Sequence, residues 1–164
     1  MILRDAAPSD VADLLAIHNE AVRDTTAIWD ETETDLAERS AWLEGRLSAG
    51  FPVLVVEIEG AVVGYASYGP WRPKTGYRHT VEDSLYVRSS HQGRGLASIL
   101  LDALIARARE AGLHRMVAMI ESTNTLSVGL HERRGFRTAG VLTQVGSKFG
   151  RWLDLTVMQL DLDR

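Results

Sequence analysis

A chain of 164 residues with 45% hydrophobic and 24% charged residues has the size and composition of one folded domain with a substantial core. Its formal net charge of −4 argues against nucleic acid as the main partner, so any anion must be held locally. The absence of cysteine excludes disulfides, cysteine–zinc sites and an acyl-cysteine intermediate.

Met1-Ile2-Leu3-Arg4-Asp5 lacks the basic start and apolar stretch of a secretory signal, and no run is long enough to cross a bilayer. A cytoplasmic protein without a membrane partner is the expectation. Histidines 18, 79, 91, 114 and 131 form no pair at metal-ligand spacing, and no metal is expected.

In chain order, a short strand at Ile2-Leu3 precedes a helix from Pro8 to Val22, with its apolar face at Val11, Leu14, Leu15, His18 and Val22. Asp35 and Glu38 form a capping pair for a second helix carrying Leu36, Trp42, Leu43 and Leu47, which Gly50 ends. Val53 to Ile58 and Ala61 to Tyr68 are β-branched and aromatic runs divided by Glu59-Gly60, a hairpin signature. Gly69-Pro70-Trp71-Arg72-Pro73-Lys74-Thr75-Gly76 breaks the pattern, and Thr80 to Val87 resumes it as a strand.

Leu96 to Ala111 reads as the clearest helix, with Ile99, Leu100, Ala103, Leu104 and Ala108 on one side and Gly112 at its end. A strand over Arg115 to Ile120, a short helix over Leu126 to Arg134 closed by Gly135, and strands over Phe136 to Val145 and Trp152 to Leu160 complete the chain. The order β-α-α-β-β-β-α-β-α-β-β contains no repeat or linker, so one α/β domain with a mixed sheet, spanning 1–164, is expected.

Between the strand ending at Val87 and the helix starting at Leu96 lies Gln92-Gly93-Arg94-Gly95-Leu96-Ala97-Ser98. Glycines let the backbone approach a ligand closely, and the unpaired N–H groups of a helix's first turn face whatever anion sits there. No Lys-Ser/Thr follows, which excludes a P-loop, and the spacing lacks the third glycine of a dinucleotide fingerprint. By themselves the two glycines also suit a plain tight turn.

Gln-x-x-Gly-x-Ala at Gln92 to Ala97 resembles the coenzyme A pyrophosphate loop of the GCN5-related N-acetyltransferases (GNATs). Asn124-Thr125-Leu126-Ser127, Leu130-His131 and Gly135-Phe136 resemble the second cofactor segment of that superfamily, and the element order is similar to its fold. The resemblance is closer to the phosphinothricin and methionine sulfoximine N-acetyltransferases, through Ile28-Trp29, Gly69-Pro70-Trp71-Arg72-Pro73, Thr80 to Val87 and Gly146 to Asp154. One departure is Asp83, where relatives often carry His or Ser, and it bears on the field around the residue before it.

The resemblance implies an acetyl-CoA-dependent N-acetyltransferase, a homodimer, acting on the α-amine of a small glutamate-like amino acid. Leu85, Tyr86 and Val87 would pair their backbone with the pantetheine arm, Gln92, Gly93, Arg94, Gly95, Leu96, Ala97 and Ser98 would cradle the pyrophosphate, and Asn124 would contact the cofactor. An α-amine is mostly protonated at neutral pH, so transfer needs a base, and Glu82 on the strand beside the glycine turn is the candidate. A solvent-facing glutamate is the other reading of Glu82 from the strand alone.

His131 lies where many members have a tyrosine that protonates the leaving thiolate; it can be that acid, the base, or a packed histidine. Arg72 and Lys74, with Thr75, Gly76 and Tyr77, suit capture of a carboxylate or phosphinate, and Lys148 in a hairpin turn is a weaker candidate. Two rival functions stay open: acetylation of a protein N-terminus or lysine, and a non-catalytic acyl-CoA-binding module.

Overall fold

The computed structural model of the chain describes residues 1–163. Strand β1 (Ile2–Asp5) leads through a 3₁₀ turn at Pro8–Asp10 into α1 (Val11–Asp24). Helix α2 (Leu36–Ser48) begins at a capping box: the Asp35 carboxylate accepts from Glu38 N at 2.8 Å, and the Glu38 carboxylate accepts from Asp35 N at 2.9 Å. Gly50, with φ +77°, ends the helix as expected.

Strands β2 (Val53–Ile58) and β3 (Ala61–Pro70) form a hairpin across Glu59-Gly60, both at positive φ, as its tight turn requires. Strand β4 (Thr80–Val87) precedes α3 (Leu96–Glu110), and β5 (Arg115–Glu121) precedes α4 (Thr125–Glu132). A long hairpin of β6 (Arg137–Lys148) and β7 (Arg151–Asp161) closes the fold. Every element expected from the sequence is present, with ends shifted by at most three residues and β2 and β4 at their expected bounds.

The seven strands form one sheet in the order β1-β2-β3-β4-β5-β7-β6. All neighbours are antiparallel except β4 and β5, which α3 joins in parallel. One face of the sheet packs on α3, whose buried Leu96, Leu100, Leu101 and Leu104 each stabilise the fold by about 1.5–3 kcal/mol. The other face carries α1 and α2 over Val53, Val55, Val62 and Tyr65.

Helix faces differ in detail from the sequence reading. Helix α1 buries Val11, Leu14, Ile17, Ala21 and Val22, while Leu15 and His18 are only partly covered. Helix α2 buries Leu43 and, unexpectedly, Arg39, but leaves Leu36 and Leu47 exposed. The Arg39 guanidinium stacks 3.7 Å from the Trp42 ring centroid and 4.9 Å from that of Tyr65, so two aromatic faces take the place of an anion.

Candidate active site

β4 and β5 pair at three positions only: Thr80 with Arg115, Val81 with Met116 and Glu82 with Val117. Past these, β4 stays on β3 through Val87, while β5 stays on β7 through Glu121. The two strands part, and a cleft of ≈ 280 Å³ opens between them, walled by Ser84, Leu85, Tyr86, Met119, Asn124 and His131 among others. The free edge of β4 thus presents peptide groups that need partners, which an extended ligand carrying amides can supply. Leu85, Tyr86 and Val87 all lie on this stretch.

Alternation along β4 divides its side chains between the two faces. Val81, Leu85 and Val87 pack toward α3, whereas Tyr86 joins the cluster under α1 and α2. Glu82 falls in the Tyr86 register and is half-buried. Burial, reinforced by the charge of Asp83, raises its carboxyl above the ordinary value, against the lowering pull of Arg72 and Arg46. A carboxyl group beside the split is therefore shifted toward neutral pH.

Arg46 is a part of this site that sequence reasoning missed. In the sequence it is one more basic residue near the end of a helix. The only available signal was Gly69, which pairs with Glu82 across β3 and β4: a Cβ at Gly69 would overlap the Arg46 guanidinium. Burial lowers the pKa of Arg46, opposed by the charge of Glu82.

After β4, a 3₁₀ turn at Ser89–His91 leads to Gly93 and Gly95, with φ +74° and +77°. The Gln92 amide donates to Val87 O at 3.2 Å and ties the turn to the strand end. Helix α3 has no side-chain cap at Gly95, and its first intrahelical bond to a flanking residue is Ile99 N to Gly95 O. The N–H groups from Gly93 to Ser98 have no acceptor among the described residues, at the positive end of a 15-residue helix. Of these residues Leu96 contributes only its backbone, because its side chain is in the core, while Arg94 is exposed.

Asn124 caps α4, its Oδ1 accepting from Ser127 N at 3.1 Å, and lines the cleft. His131 follows about two turns later and is buried rather than on the surface. Its Nδ1 bonds Ser127 O at 2.8 Å and its Nε2 lies 3.1 Å from Asp83 Oδ2.

The 71–79 loop brings Arg72, Lys74, Thr75, Gly76 and Tyr77 together on the exposed surface. Tyr77 meets the Trp71 ring edge-on at 5.3 Å, and the Arg72 guanidinium lies 5.1 Å from the Trp71 centroid. None of the five lines the cleft, so within one chain the loop is an open shelf near Glu82 and not a closed cationic pocket.

Lys148 requires a correction. Its expected place was an exposed turn, facing substrate. Instead the side chain is fully buried, and its ammonium donates to Val22 O, Thr25 O and Ile28 O at 2.5, 2.7 and 2.5 Å. All three donors are spent on fastening the end of α1 and the loop after it, so none faces a ligand. Ala27 and Ile28 of that loop line the cleft, so Lys148 shapes the site from behind.

Among the described residues, no group of three or more His, Cys, Asp or Glu stands where it could hold a metal ion, and no helix is long and apolar enough to cross a membrane. Residues 14–136 match the model of the Acetyltransferase (GNAT) family. The chain belongs to the GNAT family. Its resemblance to named GNAT members covers nearly its whole length. It is 58% identical over 98% of its residues, and 94% of the relative's, to an L-methionine sulfoximine/L-methionine sulfone acetyltransferase of Pseudomonas paraeruginosa. A ribosomal-protein-alanine N-acetyltransferase from Brucella melitensis superposes with TM-score 0.97 at 53% identity, covering 98% of this chain and 99% of that one. A GNAT phosphinothricin acetyltransferase from Sinorhizobium meliloti, solved with acetyl-CoA, superposes with TM-score 0.95 at 35% identity, over 98% and 87% of the two chains.

Proposed function

We propose that the chain, acting as one domain over 1–164, transfers the acetyl group of acetyl-CoA to the α-amine of a small glutamate-like amino acid. Methionine sulfoximine, methionine sulfone and phosphinothricin are the substrates proposed, in a detoxification or resistance role in the cytoplasm. The observation that supports this most is the placing of the tuned carboxylate of Glu82 at the point where β4 and β5 part, with an uncapped helix N-terminus at the far end of the same strand. The similarity to the methionine sulfoximine/sulfone enzyme supports the choice of substrate.

Acetyl-CoA supplies an activated acetyl thioester. In this reading the Gly93 to Ser98 amides, with Gln92 and Arg94 beside them, hold the pyrophosphate, Asn124 contacts the cofactor, and the free edge of Leu85, Tyr86 and Val87 aligns the pantetheine arm. Glu82, through water, takes a proton from the substrate ammonium. N–H groups of β4 at the split stabilise charge on the carbonyl oxygen. Arg72 and Lys74, with Thr75, Gly76 and Tyr77, hold the acidic groups of the substrate. His131 handles a second proton from the opposite face of β4.

A homodimer is part of the proposal. Strand β6 is an edge strand, and Val141, Leu142, Val145, Phe149 and Trp152 on its hairpin are 49–70% exposed, an apolar surface suited to a second copy. A second reading, acetylation of a protein N-terminus, draws support from the likeness to the Brucella enzyme. Thiol release from acetyl-CoA across free amino acids, alanine-starting peptides and polyamines separates the two. Turnover concentrated on methionine sulfoximine and its kin is expected, and turnover on peptides alone would overturn the assignment.

A further inference from the structure

The side chains of Asp83 and His131 are 2% and 3% exposed, and both line the cleft. A carbonyl only accepts, so the bond from Nδ1 to Ser127 O fixes a hydrogen on Nδ1. One more proton lies between Nε2 and Asp83 Oδ2 at 3.1 Å. The pair is then an imidazolium and a carboxylate, or their neutral equivalent, and in either form it holds one transferable proton. The other carboxylate oxygen, Asp83 Oδ1, is buried with no partner among the described residues. An orphaned acceptor on a cleft wall is costly unless a ligand donor meets it.

We propose that Asp83 is a positioning residue for acetyl transfer: its buried contact with Nε2 keeps His131 doubly protonated on the cleft wall, ready to protonate the departing thiolate. This rests on the acetyltransferase reading above. Glu82 and Asp83 are consecutive on a strand, so they serve opposite faces of the split, one taking a proton from the amine and the other holding one for sulfur. As the C–S bond breaks, its electron pair goes to sulfur, and the Nε2 proton leaves its contact with Asp83 Oδ2 for that sulfur. The N–H pair stays on nitrogen, and His131 is left neutral with Nδ1–H still on Ser127. A lone pair facing a buried carboxylate is unfavourable, so Nε2 regains a proton from water once the thiol departs.

The surroundings favour the charged form. Burial opposes it, but the Asp83 hydrogen bond and charge and the Ser127 carbonyl together raise the His131 value, with Arg134 just past the end of α4 pulling the other way. From β5, Glu121 lines the same cleft, Glu82 and Tyr86 line it from β4 with Asp83, and the Phe136 ring, edge-on to His131 at 4.9 Å, carries no charge.

The test joins a titration to a change of leaving group. Histidine ¹⁵N signals, with His131 assigned by its loss in His131→Gln, should show a doubly protonated ring persisting above the ordinary histidine range, and a shift to lower pH in Asp83→Asn. Turnover by Asp83→Asn should fall on the order of 10-fold or more with acetyl-CoA, yet within about 2-fold with the acetyl ester of an acidic aryl thiol, whose thiolate leaves unaided. Equal losses with both donors, or an unmoved titration, would overturn the proposal. If Asp83→Asn does not fold, the wild-type titration decides, and a ring that titrates at or below the ordinary value contradicts the pair. Failure of the wild type to acetylate any amine would contradict the acetyltransferase reading instead, which the titration does not depend on.

Discussion

Glu82 owes its chemistry to where β4 leaves β5. At the last paired position it is shielded enough for burial and the Asp83 charge to raise its carboxyl, yet Arg72 and Arg46 keep it from being locked as the neutral acid. If Glu82 is the base as proposed, its ionised form does the work, and activity should fall as pH drops through that raised value. Glu82→Gln preserves shape and removes the base, so kcat should drop on the order of 10²-fold with coenzyme A affinity nearly unchanged. Steady-state rates and calorimetry check this, and wild-type turnover by the variant would remove Glu82 from the role. Lys148 shows the limit of reading single residues. A lysine beside Phe149-Gly150 looks like any turn lysine, and nothing local tells that the end of α1 comes to it with three carbonyls from more than a hundred residues away. Lys148→Met would strand those oxygens, and a loss of at least about 2 kcal/mol in denaturant unfolding is expected, since each buried unsatisfied acceptor costs about 1–3 kcal/mol. Arg46 and Arg39 escaped for the same reason: their partners arrive only through tertiary packing.

At the scale of elements the sequence was far more legible, because caps and turns are local. Asp35 with Glu38, Glu59-Gly60, Gly112 and Gly135 each mark a boundary by the backbone geometry they allow, and each stands within a residue or two of one. Helix faces were less legible, since which stripe is buried depends on the sheet beneath: α2 turned Leu36 and Leu47 to solvent and covered Arg39. The sequence reads the glycine turn as an anion site from its type and place, and the structure adds a backbone constraint at Gly95. A Cβ there meets open space in the free protein, and φ +77° is the constraint. Gly95→Val should therefore cost roughly 1–2 kcal/mol in stability from the left-handed backbone. It should also weaken coenzyme A binding while sparing pantetheine. Equal losses for both ligands in calorimetry would move the phosphate cradle elsewhere.

Across the whole molecule, the family and the mixed sheet were legible in the motifs and the element order, while the split between β4 and β5 and the substrate pocket were not. The basic shelf at Arg72 and Lys74 is open in a single chain. Substrate class is therefore where the account is most exposed. The most direct test compares kcat/KM for methionine sulfoximine, its carboxamide and an alanine-starting peptide, each with wild type and Arg72→Ala. If Arg72 holds the substrate carboxylate, the free acid should be preferred by wild type, and the variant should lose about 1.5–3 kcal/mol on the free acid and little on the carboxamide. A preference for the peptide, or equal rates on all three with no effect of Arg72→Ala, would contradict the assignment to small acidic amino acids.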